Sequence, residues 1–591
     1  MGPHRFKKRG GAAGSGHWFV TLGTAIGLDP KPRSASSARV VRVLVYSVVA
    51  AGAFVGLVFL LYATSTHLNA GDSDKATTML VGQAISDGHL LLHGWVLPPA
   101  TYWTTDAVFY AVAIRLVGLQ PGLLYIEPAV IAALTVLVGV LIAREGRRGT
   151  AAVAGGVAVV SLLAFATPAM DLWFVGKGFH VGTGLYALIA MAALRRGRFG
   201  WRWALAVGLL AFGMLGDLQI VAYAVAPLFV AGLVAMLRQR RLQSGAAQVS
   251  AGLASAAVGE ALRKLASAFG AFRPGQSLYI ATAGQMLTNL RHVLTYGADL
   301  VGLNDGLYGT GGVPLALREV HVAAAICMLV CFLVALASLI SGVLRGRPRD
   351  PVGRHEPELW RLDDMLVVAV FGSVAPFVVL AQANGPGIHY LVVPVVIATV
   401  LTGRMVAKAW SAVPSVRTAQ VLAIVGTALC LSFAAGLGFA LSRPRLPNPA
   451  PDLSAWLESH HLRNGIGGYW AASITTVDSA GAVIVRPVSE RDGELQRTPN
   501  QSAASWYAGK RFQFLVYSER TSHSVDLVSA TKTWGTPAHL YVVGPYRVLV
   551  WSRPLAVSAF PPDLRAAHVR VVSVQAGPKP AGRPLLAGTA R

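Results

Sequence analysis

"VRVLVYSVVAAGAFVGLVFLLYATSTHLNAGDSDKATTML", residues 41–80, sets an apolar run directly ahead of two aspartates, Asp72 and Asp74. Residues 41–63 hold one charge, Arg42, and that length matches the roughly 20 residues a helix needs to cross about 30 Å of hydrocarbon. The two carboxylates follow where the run gives way to polar sequence, in a chain with only 13% charged residues. Carboxylates are costly inside hydrocarbon and ordinary at its edge, so the pair marks a membrane surface. Residues 1–39, upstream, are rich in Gly and Ser and basic through Arg5, Lys7, Lys8, Arg9, Lys31 and Arg33. That segment is expected to be cytoplasmic and disordered, and the first run to be a retained anchor, since no small-residue cleavage site follows it.

The rest of the chain repeats this logic. Its 591 residues are 54% hydrophobic, and the mean hydropathy is +0.54. A single soluble core seldom grows so long, and so apolar a chain could not keep a soluble surface. The net charge of +24 would suggest nucleic acid in a soluble protein. Here the basic residues gather in short stretches between apolar runs, as in "REGRRG" (144–149), "RRGRFGWR" (195–202), "RQRR" (238–241) and "RGRPRDPVGRHEPELWR" (345–361). That is the orientation signal of cytoplasmic loops, and no nucleic-acid partner is expected. Cys327, Cys331 and Cys430 all fall inside apolar runs and read as packing residues, with neither a disulfide framework nor a zinc pattern.

Spans are expected near 41–63, 123–143, 151–167, 181–194, 202–216, 219–237, 246–262, 321–343, 364–382, 390–407 and 419–441, about eleven in all. The one near 246–262 is weakened by Glu260. Two long outer loops, 64–121 and 263–320, interrupt them, and "TTDAVFYAVAIRLVG" (104–118) in the first reads as a helix lying in the interface. From about 444 the composition changes. "PDLSAWLESHHLRNG" (451–465) reads as a helix opening at Asp452 and stopping at Gly465. "AVIVRPV", "FQFLVYS", "LYVVGPYRVLVW" and "HVRVVSV" read as strands. The expected architecture is an α-helical polytopic membrane protein of about eleven transmembrane helices with a small C-terminal extracytoplasmic α/β domain. Its divisions are a cytoplasmic tail 1–39, a membrane domain 40–443 and an outer domain 444–591.

The first outer loop collects Asp72, Asp74, Lys75, Asp87, His89, His93, Trp95, Tyr102, Trp103 and Asp106. Long loops in membrane proteins tend to carry function, and acids mixed with aromatics suit a groove for a lipid-linked ligand. One span followed by "GDSDKATTMLVGQAISDGHLLLHGW" (71–95) and "PPATYWTTDAVFYA" (98–111) resembles the membrane glycosyltransferases of the C superfamily, the users of polyprenyl-phosphate sugars. Protein mannosyltransferases and the aminoarabinose transferases of lipid A belong to that group. The resemblance implies that an acid of this loop is the catalytic base. Many members carry adjacent acids, whereas Ser73 separates the two here, which leaves Asp74 and Asp72 both in view. Asp74 is preferred because it directly precedes the helix-like "KATTMLVGQAI". The resemblance also carries over Asp171 and His180 from the second outer loop, "MDLWFVGKGFHVGTG" (170–184). "GIHYLVVP" (387–394) matches a basic-aromatic-Leu-Pro stretch, with His389–Tyr390 standing for the more usual Arg-Tyr. Lys177, Asp106 and Asp217 complete the substrate-binding candidates, and Arg115, Arg273 and Arg291 are further basic ones.

Together these imply an integral-membrane inverting glycosyltransferase that moves a sugar from a polyprenyl-phosphate donor to an acceptor hydroxyl on the extracytoplasmic face of the cell membrane. The acceptor is a protein, a polysaccharide or a lipid, and the residue usage looks bacterial. No resident cofactor is expected beyond the donor, and no ligand motif supports a divalent metal. The alternative is a transporter or flippase of lipid-linked or cell-envelope precursors, which would set its polar residues at mid-membrane in broken helices. His460–His461 are neighbours on different helix faces and not a metal pair, and Asn500-Gln501-Ser502 is a glycosylation sequon by pattern alone.

Overall fold

The structure, a computed structural model, describes residues 35–274, 279–303, 314–345, 360–381, 387–413, 415–519 and 525–557. The expectations for residues 1–34, for "HVRVVSV" and for most of the basic stretch 345–361 lie outside the described residues. A helix stands at each of the eleven expected span positions. Among the described residues seven are long and apolar enough to cross a bilayer: Val40–Leu68, Leu123–Arg144, Val221–Gln239, Ala316–Arg345, Arg361–Val379, Gly387–Ser411 and Val416–Leu441. Gly149–Leu163 and Pro168–Lys177, bent by 76°, make an eighth if counted as one broken span. The chain is therefore a multi-pass helical membrane protein.

The shortfall from eleven has local causes. Val181–Leu194, at 14 residues, rises only about 21 Å. Ala246–Ala268 forms through the doubtful span but is too polar, and its Glu260 is paired with Arg263 at 2.9 Å. That helix packs through small residues instead. A Cβ on its Gly252 would stand 2.8 Å from the Val225 carbonyl oxygen, and on helix Gly149–Leu163 one on Gly155 would stand 2.7 Å from that of Gly403. Such close crossings suit helices in lipid, where side-chain packing replaces hydrophobic driving force.

The first long loop is folded. Asp72 caps the helix Ser73–Ser86, its Oδ1 accepting from the Lys75 amide at 2.8 Å. This helix lies on the expected interfacial helix Ala107–Val117, and Gly82 is the contact point. On the latter helix Val112, Leu116 and Val117 are exposed, as an interfacial position requires.

The C-terminal region forms one mixed sheet. In chain order its strands are β3 (Asn464–Gly468), β4 (Ile484–Arg491), β5 (Glu494–Arg497), β7 (Phe512–Ser518), β8 (His539–Val543) and β9 (Tyr546–Leu555), arranged 5-4-3-7-9-8. Strand β3 is parallel to both β4 and β7, and β8 and β9 form the expected hairpin. Here one expectation fails. Gly465 does not stop a helix, which spans Ala450–Ser459 with Asp452 inside its first turn; it is the second residue of the buried central strand. A Cβ at Gly465 would lie 2.3 Å from the Phe514 ring, and one at Gly467 would lie 2.7 Å from the Val516 carbonyl oxygen. Glycine is there for close approach, a requirement that only the neighbouring strand reveals.

A second, three-stranded sheet joins distant parts of the chain. β1 (Trp95–Leu97) pairs in parallel with β2 (Arg273–Pro274) and antiparallel with β6 (Ser502–Ala503). The C-terminal region is thus sewn onto the first long loop.

A Cβ on Gly82 would sit 2.6 Å from the Tyr110 Cβ, whereas one on Gly52 would meet nothing within 4 Å. Gly82→Ala is expected to cost about 1–3 kcal/mol by overpacking. Thermal melts in detergent should show a lowered midpoint for Gly82→Ala and none for Gly52→Ala.

Candidate functional site

Helix Ser73–Ser86 sets two charged neighbours to opposite duties. Successive helical residues point about 100° apart, so Asp74 and Lys75 leave the first turn in different directions. Lys75 is buried; its Nζ donates to the Lys177 carbonyl at 2.9 Å and lies 3.9 Å from Glu127. Burial pulls its pKa down, while Glu127, Asp72 and Asp106 pull it back. Asp74 turns toward the C-terminal region. Its Oδ1 accepts from the Tyr469 hydroxyl and, at 3.1 Å, from Gln501 Nε2. Below it Thr77 Oγ1 bonds Ser473 Oγ at 2.8 Å.

Opposite Asp74 stand side chains delivered by irregular backbone. The π-helical turn Leu172–Lys177 ends at Gly178, and His180 follows with φ +63°. His180 Nδ1 lies 2.6 Å from Asp217 Oδ2, an oxygen that also accepts from Thr183 at 2.7 Å. The Gln219 amide donates to the other Asp217 oxygen at 3.0 Å. His180 Nε2 lies 3.5 Å from the Tyr102 hydroxyl. Tyr102 itself has φ +54°, held by its amide bonding the Gly216 carbonyl at 2.7 Å. His389 lies parallel to His180, with centroids 5.5 Å apart and planes within 6°.

Asp74, Tyr102, His180, His389, Tyr390 and Gln501 line one cleft of about 150 Å³. Three of them, Tyr102, His180 and Gln501, are non-glycine residues with left-handed backbone. Each such residue costs of order 1 kcal/mol or more and persists only where its surroundings hold it, a trait of functional sites. π-Helical turns cluster at such sites too, and a second one, Val221–Val225, brings Tyr223 within 6.4 Å of His180.

The electrostatics divide the acids. Burial raises the Asp74 carboxyl and Asp72 repels its charge, while Tyr469, Gln501 and Lys177 hold it down. Burial also raises Asp217, but the contact with His180 and bonds from Thr183 and Gln219 outweigh it, and its pKa is depressed. Burial keeps the Tyr102 and Tyr469 phenols protonated, Tyr469 also through its bond to Asp74.

Of the sequence candidates, Asp74, His180, His389 and Tyr390 line the cleft. Lys177 adjoins it, 3.4 Å from Asp72 Oδ2 and over the Trp173 ring. Asp217 stands behind His180. Asp106 and Asp171 are buried off the cleft: Asp106 accepts from Thr105 at 2.6 Å, and neither Asp171 oxygen has a hydrogen-bond partner among the described residues. Burial pushes Asp106 well above the ordinary carboxyl range, and Glu127 adds to it. Arg115, Arg273 and Arg291 are exposed and away from the cleft. Sequence reasoning missed Tyr469 and Gln501. The second sits inside the sequon pattern 500–502, and nothing local to either points to Asp74, some 400 residues earlier. No group of three His, Cys, Asp or Glu among the described residues is placed to hold a metal.

No family model and no curated protein matches this chain. Among solved structures, ArnT from Cupriavidus metallidurans in the apo state is similar at 13% identity and TM-score 0.49, over 88% of this chain and 98% of that one. The same protein bound to undecaprenyl phosphate is similar at 13% identity and TM-score 0.48, over 84% and 97%. The Archaeoglobus fulgidus oligosaccharyltransferase tethered with an acceptor peptide is similar at 11% identity and TM-score 0.42, over 73% and 63%.

Asp217→Asn removes the charge that anchors His180 and is expected to destabilise the protein by about 1–3 kcal/mol near neutrality. Because the folded-state pKa of Asp217 is depressed, its contribution is full above the ordinary aspartate range and is lost as pH falls through the folded value. Thermal midpoints of wild type and variant should therefore differ at pH 7 and converge only in strong acid.

Proposed function

We propose that this protein is an inverting glycosyltransferase of the extracytoplasmic membrane face, using a polyprenyl-phosphate sugar. The observation that carries the reading is Asp74, a half-buried carboxylate on a cleft of strained aromatic and histidine residues at the mouth of a helical bundle. Tyr469 and Gln501 both bond its Oδ1, leaving Oδ2 without a hydrogen bond among the described residues. That oxygen takes the proton of the acceptor hydroxyl as the hydroxyl oxygen attacks the anomeric carbon. The bond from that carbon to the phosphate oxygen breaks, its electrons leave with the lipid phosphate, and the configuration inverts.

A phosphate leaves as a stable anion and needs no general acid, so one carboxylate suffices where a glycosidase needs two. The departing charge does need compensation. Lys177, beside the cleft, is the cation for that task, with the parallel His180 and His389 as hydrogen-bonding neighbours. Asp72 works at one remove, capping the helix that carries Asp74 and engaging Lys177. The lipid tail would lie along the apolar helices, with the phosphate at their mouth.

The test is label transfer in nanodiscs from polyprenyl-phosphate mannose, glucose and arabinose to a cell-envelope extract. Asp74→Asn is expected to lower transfer by about 100-fold or more. Retention of wild-type transfer by Asp74→Asn would overturn the assignment, and absence of transfer and of donor hydrolysis with all three donors would favour the transporter reading.

The pH profile supplies an independent check. Transfer needs ionised Asp74, so the rate falls as pH drops through a pKa raised by burial and by Asp72. Asp72→Asn keeps the helix cap but removes the repulsion, and the acid limb should move to lower pH. Tyr469→Phe removes a bond that favours the ionised form, and the limb should move to higher pH. Movement of both limbs in one direction contradicts the assignment.

A further inference from the structure

A larger cavity, about 490 Å³, lies between residues 70–72, the connection 447–450 and the C-terminal domain, and shares no lining residue with the Asp74 cleft. The start of helix Tyr469–Asp478 serves both. Tyr469 bonds Asp74, while the next residue, Trp470, lines the larger cavity and is 43% exposed. The two aspartates divide likewise, Asp74 lining one space and Asp72 the other. Asp72 Oδ1 is used by the helix cap, whereas Oδ2 is buried and takes no hydrogen bond among the described residues, with the Lys177 ammonium 3.4 Å away. Ser518 and Tyr546 add a hydroxyl and a second aromatic face.

These walls select among ligand classes. The lining holds one acid, Asp72, and no lysine, arginine or histidine, so it offers a phosphate nothing to bind. A hydrocarbon tail would set the Asn448 and Ser518 side chains against an apolar surface. A sugar ring meets both demands: its C–H face covers an indole, and its hydroxyls pair with the Asn448 and Ser518 side chains.

We infer that this cavity is a saccharide-binding site that holds a sugar unit of the acceptor next to the unit whose hydroxyl meets Asp74. The acceptor is then an oligo- or polysaccharide chain. The role rests on the glycosyl-transfer reading above; the saccharide chemistry of the cavity does not.

The experiment is equilibrium binding to the full-length protein in nanodiscs of unbranched tetrasaccharides of mannose, glucose and arabinose, each with a fluorescent tag at the reducing end. At least one should bind wild type saturably. Trp470→Ala should weaken it about tenfold, and Trp470→Phe, which keeps a ring in place, should restore most of the affinity. In the transfer assay Trp470→Ala should raise the acceptor KM with little change in kcat. Thermal midpoints establish that each variant is folded. No saturable binding by wild type, or undiminished binding by Trp470→Ala, overturns the inference. Transfer that proceeds while Trp470→Ala alters neither affinity nor KM defeats the cavity assignment alone. Tetrasaccharide binding without transfer from any donor defeats the transfer reading and leaves the saccharide site standing.

Discussion

The bond from Tyr469 to Asp74 joins the two halves of this molecule, and the cleft depends on it. Asp74 begins as a carboxylate in the first turn of a short helix at a membrane edge, where water would ordinarily solvate it. Helix Tyr469–Asp478 covers that helix, Thr77 and Ser473 pin the pair, and β6 pairs with β1 beside them. Asp74 loses most of its water and gains two fixed donors on one oxygen. Its protonation is then set by side chains from both ends of the chain. The C-terminal domain is therefore a wall of the site.

A second constraint is the backbone around His180. The turn holding Asp217 approaches residues 101–105 so closely that a Cβ on Gly216 would lie 2.7 Å from Thr104 Oγ1. Thr101 and the Tyr102 amide both bond the Gly216 carbonyl, which fixes Tyr102 in a left-handed conformation. On the other side Gly178 has φ +65°, and a Cβ there would lie 3.0 Å from that of Pro128 and 3.1 Å from Lys75 Nζ. The imidazole of His180 is thus placed by three chain segments and oriented by Asp217. Lys75 tightens the same knot from below by holding the Lys177 carbonyl. A lysine spent on backbone is uncommon, and its burial beside Glu127 accounts for it.

Much of this was legible in the sequence. Helices stand where apolar runs occur, because run length against bilayer thickness is a property of single segments. The strands β4, β7, β8 and β9 follow their β-branched and aromatic runs. The resemblance to lipid-phosphate-sugar transferases brought Asp74, His180, His389 and Tyr390 into view, and the structure gathers those four around one cleft. Asp106 and Asp171 look no different in sequence, yet both are buried off that cleft. A loop acid carries no local mark of which way its side chain turns.

The sequence by itself determined the membrane class, the helices at the eleven apolar runs and the presence of scarce acids at one edge, since hydropathy and charge act residue by residue. Only the tertiary structure decided that Gly465 lies in a central strand, that Asp72 and Asp74 face separate cavities and that Tyr469 and Gln501 complete the site. Those outcomes rest on contacts between segments hundreds of residues apart. The steric and hydrogen-bonding terms that select them do not exist until the segments meet.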